Sequence, residues 1–190
     1  MKVYAFDFDG TLTTRDTFLE FIRFACGTRR FLLGFLLYSP LLVLMKLRLY
    51  SNGKAKQKVF AHFFKGMAIS KFNSLCLIFA LTHRHLLRPE LVSRLEQALS
   101  EGAEVIVVSA SIENWVQPFL PKAKVLGTQI EVIDDRLTGR FLTPNCYGQE
   151  KVHRILALYP DRSSYHLTAY GDSRGDREML AFADEAHLIK

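Results

Sequence analysis

The stretch Val3-Tyr4-Ala5-Phe6-Asp7-Phe8-Asp9-Gly10-Thr11-Leu12-Thr13 constrains this chain more than any other. The run from Val3 to Phe6 is short, apolar and rich in aromatic and β-branched side chains, the pattern of a buried strand. It stops at two carboxylates and then a glycine, which permits a sharp turn. Residues i and i+2 of an extended segment point the same way, so Asp7 and Asp9 are placed to face one site. Two acids sharing a site repel unless a proton or a cation sits between them. Taken alone, the stretch fits a polar strand end as well as an active site.

The order of elements narrows the fold. From Glu90 onward helical and strand patterns alternate: a helix over 90–100, a strand Val105–Val108 stopping at Ser109, a short helix over 112–120 and a short strand over 124–126. A hairpin follows around Asp134-Asp135, then a helix over 149–159, a strand over 166–170, a helix over 177–182 and a last short strand over 186–189. Such alternation predicts an α/β fold, a Rossmann-like parallel sheet with helices on both faces. In such sheets ligands bind beyond the carboxyl ends of the strands. Residues 15–88 have another character. Helices are predicted over 16–25, ended by Gly27, over 54–64, and over 70–87 with Ser70 as cap. Between the first two lies the apolar run Phe31–Met45, bracketed by Arg29, Arg30, Lys46 and Arg48. Its fifteen residues and internal Pro40 fall short of the ~20 a membrane span needs. They favour a helix or kinked pair packed inside the protein over a segment lying in a membrane interface.

Charge separates the same two parts. Residues 15–88 hold 13 Lys/Arg against Asp16 and Glu20, a net of +11, while the remainder carries −5. A segment so one-sided should face something anionic: a phosphorylated substrate, an acidic membrane surface or nucleic acid. No RNA-binding signature accompanies the charge, which disfavours the last. With 49% hydrophobic and 23% charged residues the chain is not disordered. Cys26, Cys76 and Cys146 are far apart and form no CxxC pair, so they read as reduced thiols of a cytoplasmic protein, not a zinc site. No signal peptide is expected, because the N-terminus enters a strand at once.

Three predicted strands end in polar groups: Asp7 with Asp9, then Ser109, then Asp172 with Asp176 four residues on. All fall at the carboxyl edge. Four acids gathered there require a divalent cation, and hard oxygen ligands select Mg²⁺ over zinc or copper. The constellation resembles the haloacid dehalogenase superfamily of aspartate-nucleophile phosphohydrolases. The likeness is carried by Asp7-Phe-Asp9-Gly10-Thr11, Ser109 after an apolar strand, Lys151 at a helix start, and Gly171-Asp172-Ser-Arg-Gly-Asp176, in the family's order.

That resemblance implies an Mg²⁺-dependent phosphatase of phosphate monoesters. Asp7 would be the nucleophile that forms an aspartyl-phosphate, and Asp9 the general acid and base. Asp7, Asp172, Asp176 and the Asp9 carbonyl would hold the metal. Ser109 and Lys151, with Gly10, Thr11 and Ala110, would bind the phosphate. It also implies two domains, a catalytic core of residues 1–14 and 89–190 and an inserted all-helical cap of residues 15–88, hinged near 13–16 and 88–89. The layout is most similar to the phosphoserine phosphatase branch, in which Asp16 would meet the substrate amino group. Lys56 or Lys58 stands near the place of that branch's carboxylate-clamping arginine. The branch's glycine pair after the motif serine is Ala110-Ser111 here, and its asparagine before the last aspartate is Gly175. The segments Gly127-Thr-Gln-Ile130 and Cys146-Tyr-Gly-Gln-Glu-Lys151, with the apolar basic cap, are similar instead to bacterial phosphatases of phosphatidylglycerophosphate. A lipid phosphate at the inner membrane face is therefore the alternative to a soluble small-molecule ester.

Overall fold

The computed structural model describes residues 1–47 and 49–190; Arg48, one of the basic residues bracketing the 31–45 run, lies outside the described residues. The chain order is β1 (Lys2–Phe6), α1 (Thr17–Cys26), α2 (Thr28–Lys46), α3 (Asn52–Phe64), α4 (Ile69–Thr82), α5 (Pro89–Ser100), β2 (Glu104–Ile112), α6 (Glu113–Val116) and β3 (Lys124–Thr128). It continues through β4 (Ile130–Ile133), β5 (Arg136–Phe141), α7 (Gln149–Leu158), β6 (His166–Gly171), α8 (Arg177–Phe182) and β7 (Glu185–Leu188).

Alternation along the strands builds a core on each side of one sheet. The five strands run parallel in the order β3-β2-β1-β6-β7, with β1 in the middle. Tyr4 and Phe6 face one layer, with Leu91 and Leu95 of α5; Val3 and Ala5 face the other, with Ile155 of α7 and Met179 of α8. Helices therefore cover both faces, as the βαβ order predicts. The remaining strands, β4 and β5, form an antiparallel hairpin. Its tip residues Asp134 and Asp135 both have positive φ, 48° and 57°, the geometry of a two-residue turn that matches strand twist.

Between β1 and α5 the described residues make the α-helices α1 to α4. The chain leaves and re-enters side by side: the Thr14 amide donates to the Leu86 carbonyl at 2.9 Å, and the Arg88 amide to Leu12 at 2.8 Å. Phe21, Phe60, Phe64, Phe72 and Phe79 are buried in this block and stack edge-on or tilted with centroids 5–6 Å apart.

Three expectations need correction. The 31–45 run is neither a kinked pair nor packed inside. It is a single helix, α2, through Pro40, with its whole outer side exposed. A proline in that position strips the Leu36 carbonyl of its helical N–H partner, and the Ser39 hydroxyl donates to it instead at 2.8 Å. The helix expected over 70–87 runs Ile69–Thr82, with Ala68 at its cap. A tertiary bond replaces a Ser70 cap, the Ile69 amide donating to Asp135 of the hairpin at 2.9 Å. The strand expected to stop at Ser109 continues to Ile112, its pairing with β3 slipping between Val108 and Ile112. Ser109, Ala110 and Ser111 thus lie on an irregular strand end.

Candidate active site

Asp7 follows the last residue of β1, where the backbone hands its amide to Tyr170 of β6 at 2.9 Å. Its carboxylate is buried at the sheet's carboxyl edge. Lys151, from the first turn of α7, reaches the same point and is only 2% exposed. Its ammonium donates to Asp7 Oδ1 at 2.5 Å, to Asp176 Oδ1 at 2.5 Å and to the Val108 carbonyl at 2.7 Å. Three acceptors for three N–H groups leave the buried cation fully bonded. Burial opposes its charge, yet the Asp7 and Asp176 carboxylates outweigh that and hold the ammonium well above ordinary lysine. Burial also pushes the Asp7 carboxyl up to about 7; Lys151 works against this, while Asp176 and Asp9 add to it.

Asp172 and Asp176 flank a turn after β6. The second oxygen of Asp176 accepts from the Ser173 amide at 3.0 Å and the Ser173 hydroxyl at 2.9 Å, and Ser173 caps the turn in return. Asp172 is less engaged; among the described residues its one side-chain donor is the Thr11 hydroxyl, at 3.3 Å, which lies 3.3 Å from Asp7 Oδ2 as well. Oxygens of Asp7, Asp172 and Asp176 lie within 4.8 Å of one another. This all-oxygen, acidic set suits a hard divalent cation. Burial, and then the charge of Asp176, pushes the Asp172 carboxyl up as well, while the Thr11 hydroxyl and Lys151 work against it.

The Asp9 side chain is not part of that cluster. It turns toward the start of α1, where Oδ1 accepts from the Thr17 amide at 2.7 Å and hydroxyl at 2.5 Å, and Oδ2 from the Ser111 hydroxyl at 2.5 Å. The Trp115 indole N–H donates to the Thr17 hydroxyl at 3.2 Å, fixing it from behind. The sequence offered Thr17 only as an alternative to Asp16 for the cap of α1, not as a partner of Asp9, and nothing in it marked Trp115. Ser111, where the similar phosphatases have glycine, turns out to orient Asp9. Ser109 is wholly buried, and its oxygen accepts from the Ser111 amide at 3.0 Å. Ala110, not Ser109, forms the adjacent wall of the cavity.

A cavity of about 740 Å³ opens over these groups. Asp7, Asp9, Lys151 and Asp172 form its floor, and Asp16 and Lys56 its polar side. Asp16 caps α1, accepting from the Phe18 amide at 2.9 Å. Lys56 donates to the Ala110 carbonyl at 2.9 Å and lies over the Phe18 ring. Burial pushes its ammonium down, while Asp9, Asp16 and Asp7 pull it back. Lys58, the other basic candidate, is not there: it is exposed and lies over the Tyr50 ring on the far side of α3. One helical turn separates 56 from 59, so 58 falls on another face. The remaining wall was not foreseen. Phe35, Leu42, Met45 and Lys46 of α2 line the same cavity as the aspartates.

A family profile described as haloacid dehalogenase-like hydrolase matches residues 4–181. The chain belongs to the haloacid dehalogenase-like hydrolases. It is 37% identical over 188 residues to Protein CicA of Caulobacter vibrioides, covering 95% of this chain and 82% of that one. A crystal structure of a protein of unknown function from Bordetella pertussis Tohama I superposes with a TM-score of 0.77 at 18% identity, over 95% of this chain and 86% of the other. A phospho-aspartyl intermediate analogue of phosphoserine phosphatase gives a TM-score of 0.59 at 20% identity, over 96% and 83%. These two likenesses are likenesses of fold.

Within this hydrolase, Gly10 is held at φ +87°, and a Cβ there would collide with the Asp172 carboxylate. Gly10→Ala therefore displaces Asp172 from Asp7. Turnover is expected to fall roughly 10²-fold, the usual consequence of about 1 Å of misplacement, with steady-state hydrolysis as the check. A loss under threefold would show that Asp172 need not stand where it does.

Proposed function

We propose that this hydrolase is an Mg²⁺-dependent phosphatase that cleaves phosphate monoesters through an aspartyl-phosphate on Asp7. The observation that carries the reading is the buried Asp7–Lys151–Asp176 arrangement beside Asp172 at the floor of an accessible cavity. Asp7 is the nucleophile best supported by position, since Thr11 and Lys151 hold its two oxygens in a fixed direction. Its oxygen forms the new bond to phosphorus as the ester P–O bond breaks, and the leaving alkoxide takes its proton from Asp9. In the second half, Asp9 removes a proton from water. The hydroxide displaces Asp7 from phosphorus, and inorganic phosphate leaves. Thr17 and Ser111 keep Asp9 pointed away from Asp7, so the acid and the nucleophile stay separate in role. Lys151 offsets the charge of nucleophile and phosphoryl group, while Ala110 and the Gly10–Thr11 backbone would embrace the phosphoryl oxygens. The buried Ser109 would hold this end of β2 in place through the Ser111 amide. Asp7, Asp172 and Asp176, with the Asp9 carbonyl, would hold Mg²⁺, which when bound neutralises charge between nucleophile and phosphate.

Residues 15–88 would act as the cap over a core of 1–14 and 89–190, and would choose the leaving group. Asp16 and Lys56, an acid and a base at one wall, suit a zwitterionic leaving group such as that of phosphoserine. A second reading, a lipid phosphate such as phosphatidylglycerophosphate, is favoured by the apolar wall of Phe35, Leu42 and Met45. Phosphate release from an aryl phosphate, phosphoserine and phosphatidylglycerophosphate, with Mg²⁺ and with chelator, tests both. Release should require Mg²⁺, and the preferred ester decides between the walls. No release from any of the three with Mg²⁺ present would sink the catalytic reading.

A further inference from the structure

We propose that α2 docks flat on an anionic phospholipid bilayer, its leucine stripe at the headgroup–acyl boundary and the mouth of the catalytic cavity held at the membrane surface. The helix has two faces. Leu32, Leu33, Leu36, Leu37, Val43 and Leu44 are all exposed, Leu36 by 71%. At 100° per residue these positions fall within one contiguous sector, so they form a single band along a helix about 28 Å long. A band of that size on a monomer's surface marks a binding face. The opposite face is packed. Gly34 lets α2 close on the Phe63 ring of α3, and Phe35 stacks on Phe63 with centroids 6.3 Å apart.

Charge selects the occupant. Arg29 and Arg30 are exposed at one end of α2 and Lys46 at the other, with no acid in the helix. The surrounding segment, residues 15–88, carries the net of +11. A second copy of the chain would bring the same positive charge to the same face and be repelled, whereas anionic headgroups complement it. Orientation follows from the neighbours. The 19 residues of α2 approach the length of a membrane span. Its inner face, however, is fastened to α3, whose Lys54, Lys58 and exposed flanking Lys65 would be dragged into hydrocarbon if α2 crossed. Lying flat keeps those ammonium groups among the phosphates and buries only the outer band. Because Phe35, Leu42 and Met45 belong both to α2 and to the cavity wall, docking brings the membrane boundary next to the site. The lipid-phosphate reading gains from this, but docking rests on the surface of α2 alone.

The test is co-sedimentation of the full chain with phosphatidylglycerol/phosphatidylcholine vesicles at low salt, beside vesicles of phosphatidylcholine only. Leu33→Glu/Leu36→Glu/Leu37→Glu is the variant, since all three side chains are exposed and outside the cavity. The wild type should pellet with anionic vesicles and bind neutral ones at least tenfold more weakly. The variant should lose roughly tenfold or more in binding while hydrolysing a soluble aryl phosphate at the wild-type rate. Docking is overturned by a wild type that stays in the supernatant, by equal binding to neutral vesicles, or by undiminished pelleting of the variant. Resistance of the bound protein to alkaline carbonate would replace flat docking with insertion. A dimer in ultracentrifugation that the variant abolishes, without vesicle binding, would assign the face to a second copy. Vesicle binding with no phosphate release from any ester would leave docking standing and remove the phosphatase reading.

Discussion

Asp7→Asn is expected to lower turnover of an aryl phosphate by roughly 10⁴-fold or more while leaving the protein folded. An amide matches the carboxylate in shape, and Lys151 keeps its bonds to Asp176 and to the Val108 carbonyl. What disappears is the proposed nucleophile. Thermal melting should separate this from unfolding, and unchanged turnover would remove Asp7 from the mechanism. The same variant carries a pH signature. In the metal-free protein the Asp7 carboxyl titrates near 7, against 3.8 for a free aspartate, because burial disfavours its charge. A group whose folded value is raised contributes stability below its unfolded value and loses it as pH rises through the folded one. In chelator, the wild type should therefore lose stability relative to Asp7→Asn between about pH 4 and about pH 7, and level off above. Mg²⁺, by holding Asp7 ionised, should remove that difference. A difference that does not change over this range would mean that Asp7 is already ionised by Lys151 alone.

The candidate catalytic edge was legible as an acidic cluster because each of its parts is a local pattern. A short apolar run ending in Asp7 and Asp9, and a glycine turn with acids four apart at Asp172 and Asp176, can be read without knowing which strands are neighbours. Parallel pairing of β1 with both β2 and β6 then brings those ends together. The partners of Asp9 were not legible, for the opposite reason. Thr17 and Ser111 come from α1 and β2, and Trp115, which holds Thr17, from α6; only tertiary packing unites them. Ser111 was visible as a departure from the similar phosphatases. Its use, as a donor to Asp9, depends on the irregular end of β2 continuing past Ser109. The apolar run of α2 misled for a different reason. Hydrophobic nearly all round, it gives periodicity no face to choose, and burial was the natural expectation. Gly34, Phe35 and Tyr38 pack toward α3 because rings there accept them, and the leucines are left outside. Lys56 and Lys58 could not be separated by composition; one helical turn settles which reaches the cavity.

Lys151→Met is expected to cost about 3–5 kcal/mol, because it leaves two buried carboxylates without the cation they share. For a chain of this length that corresponds to a fall in melting temperature on the order of 10 °C. Methionine nearly conserves the volume, so packing contributes little and the loss reads the charge. Two further measurements identify the cause. Removing one of the orphaned charges should recover much of the loss, so Asp7→Asn/Lys151→Met should melt above Lys151→Met. Additivity of the two single changes would instead show that Asp7 and Lys151 are not coupled. Mg²⁺ should also raise the melting temperature more in Lys151→Met than in the wild type, since a divalent cation among Asp7, Asp172 and Asp176 can replace the missing charge. Rescue of stability need not restore turnover. In the proposed mechanism the ammonium also offsets charge on the phosphoryl oxygens, so a variant that is metal-stabilised yet slow would separate the lysine's part in holding the site from its proposed part in the reaction.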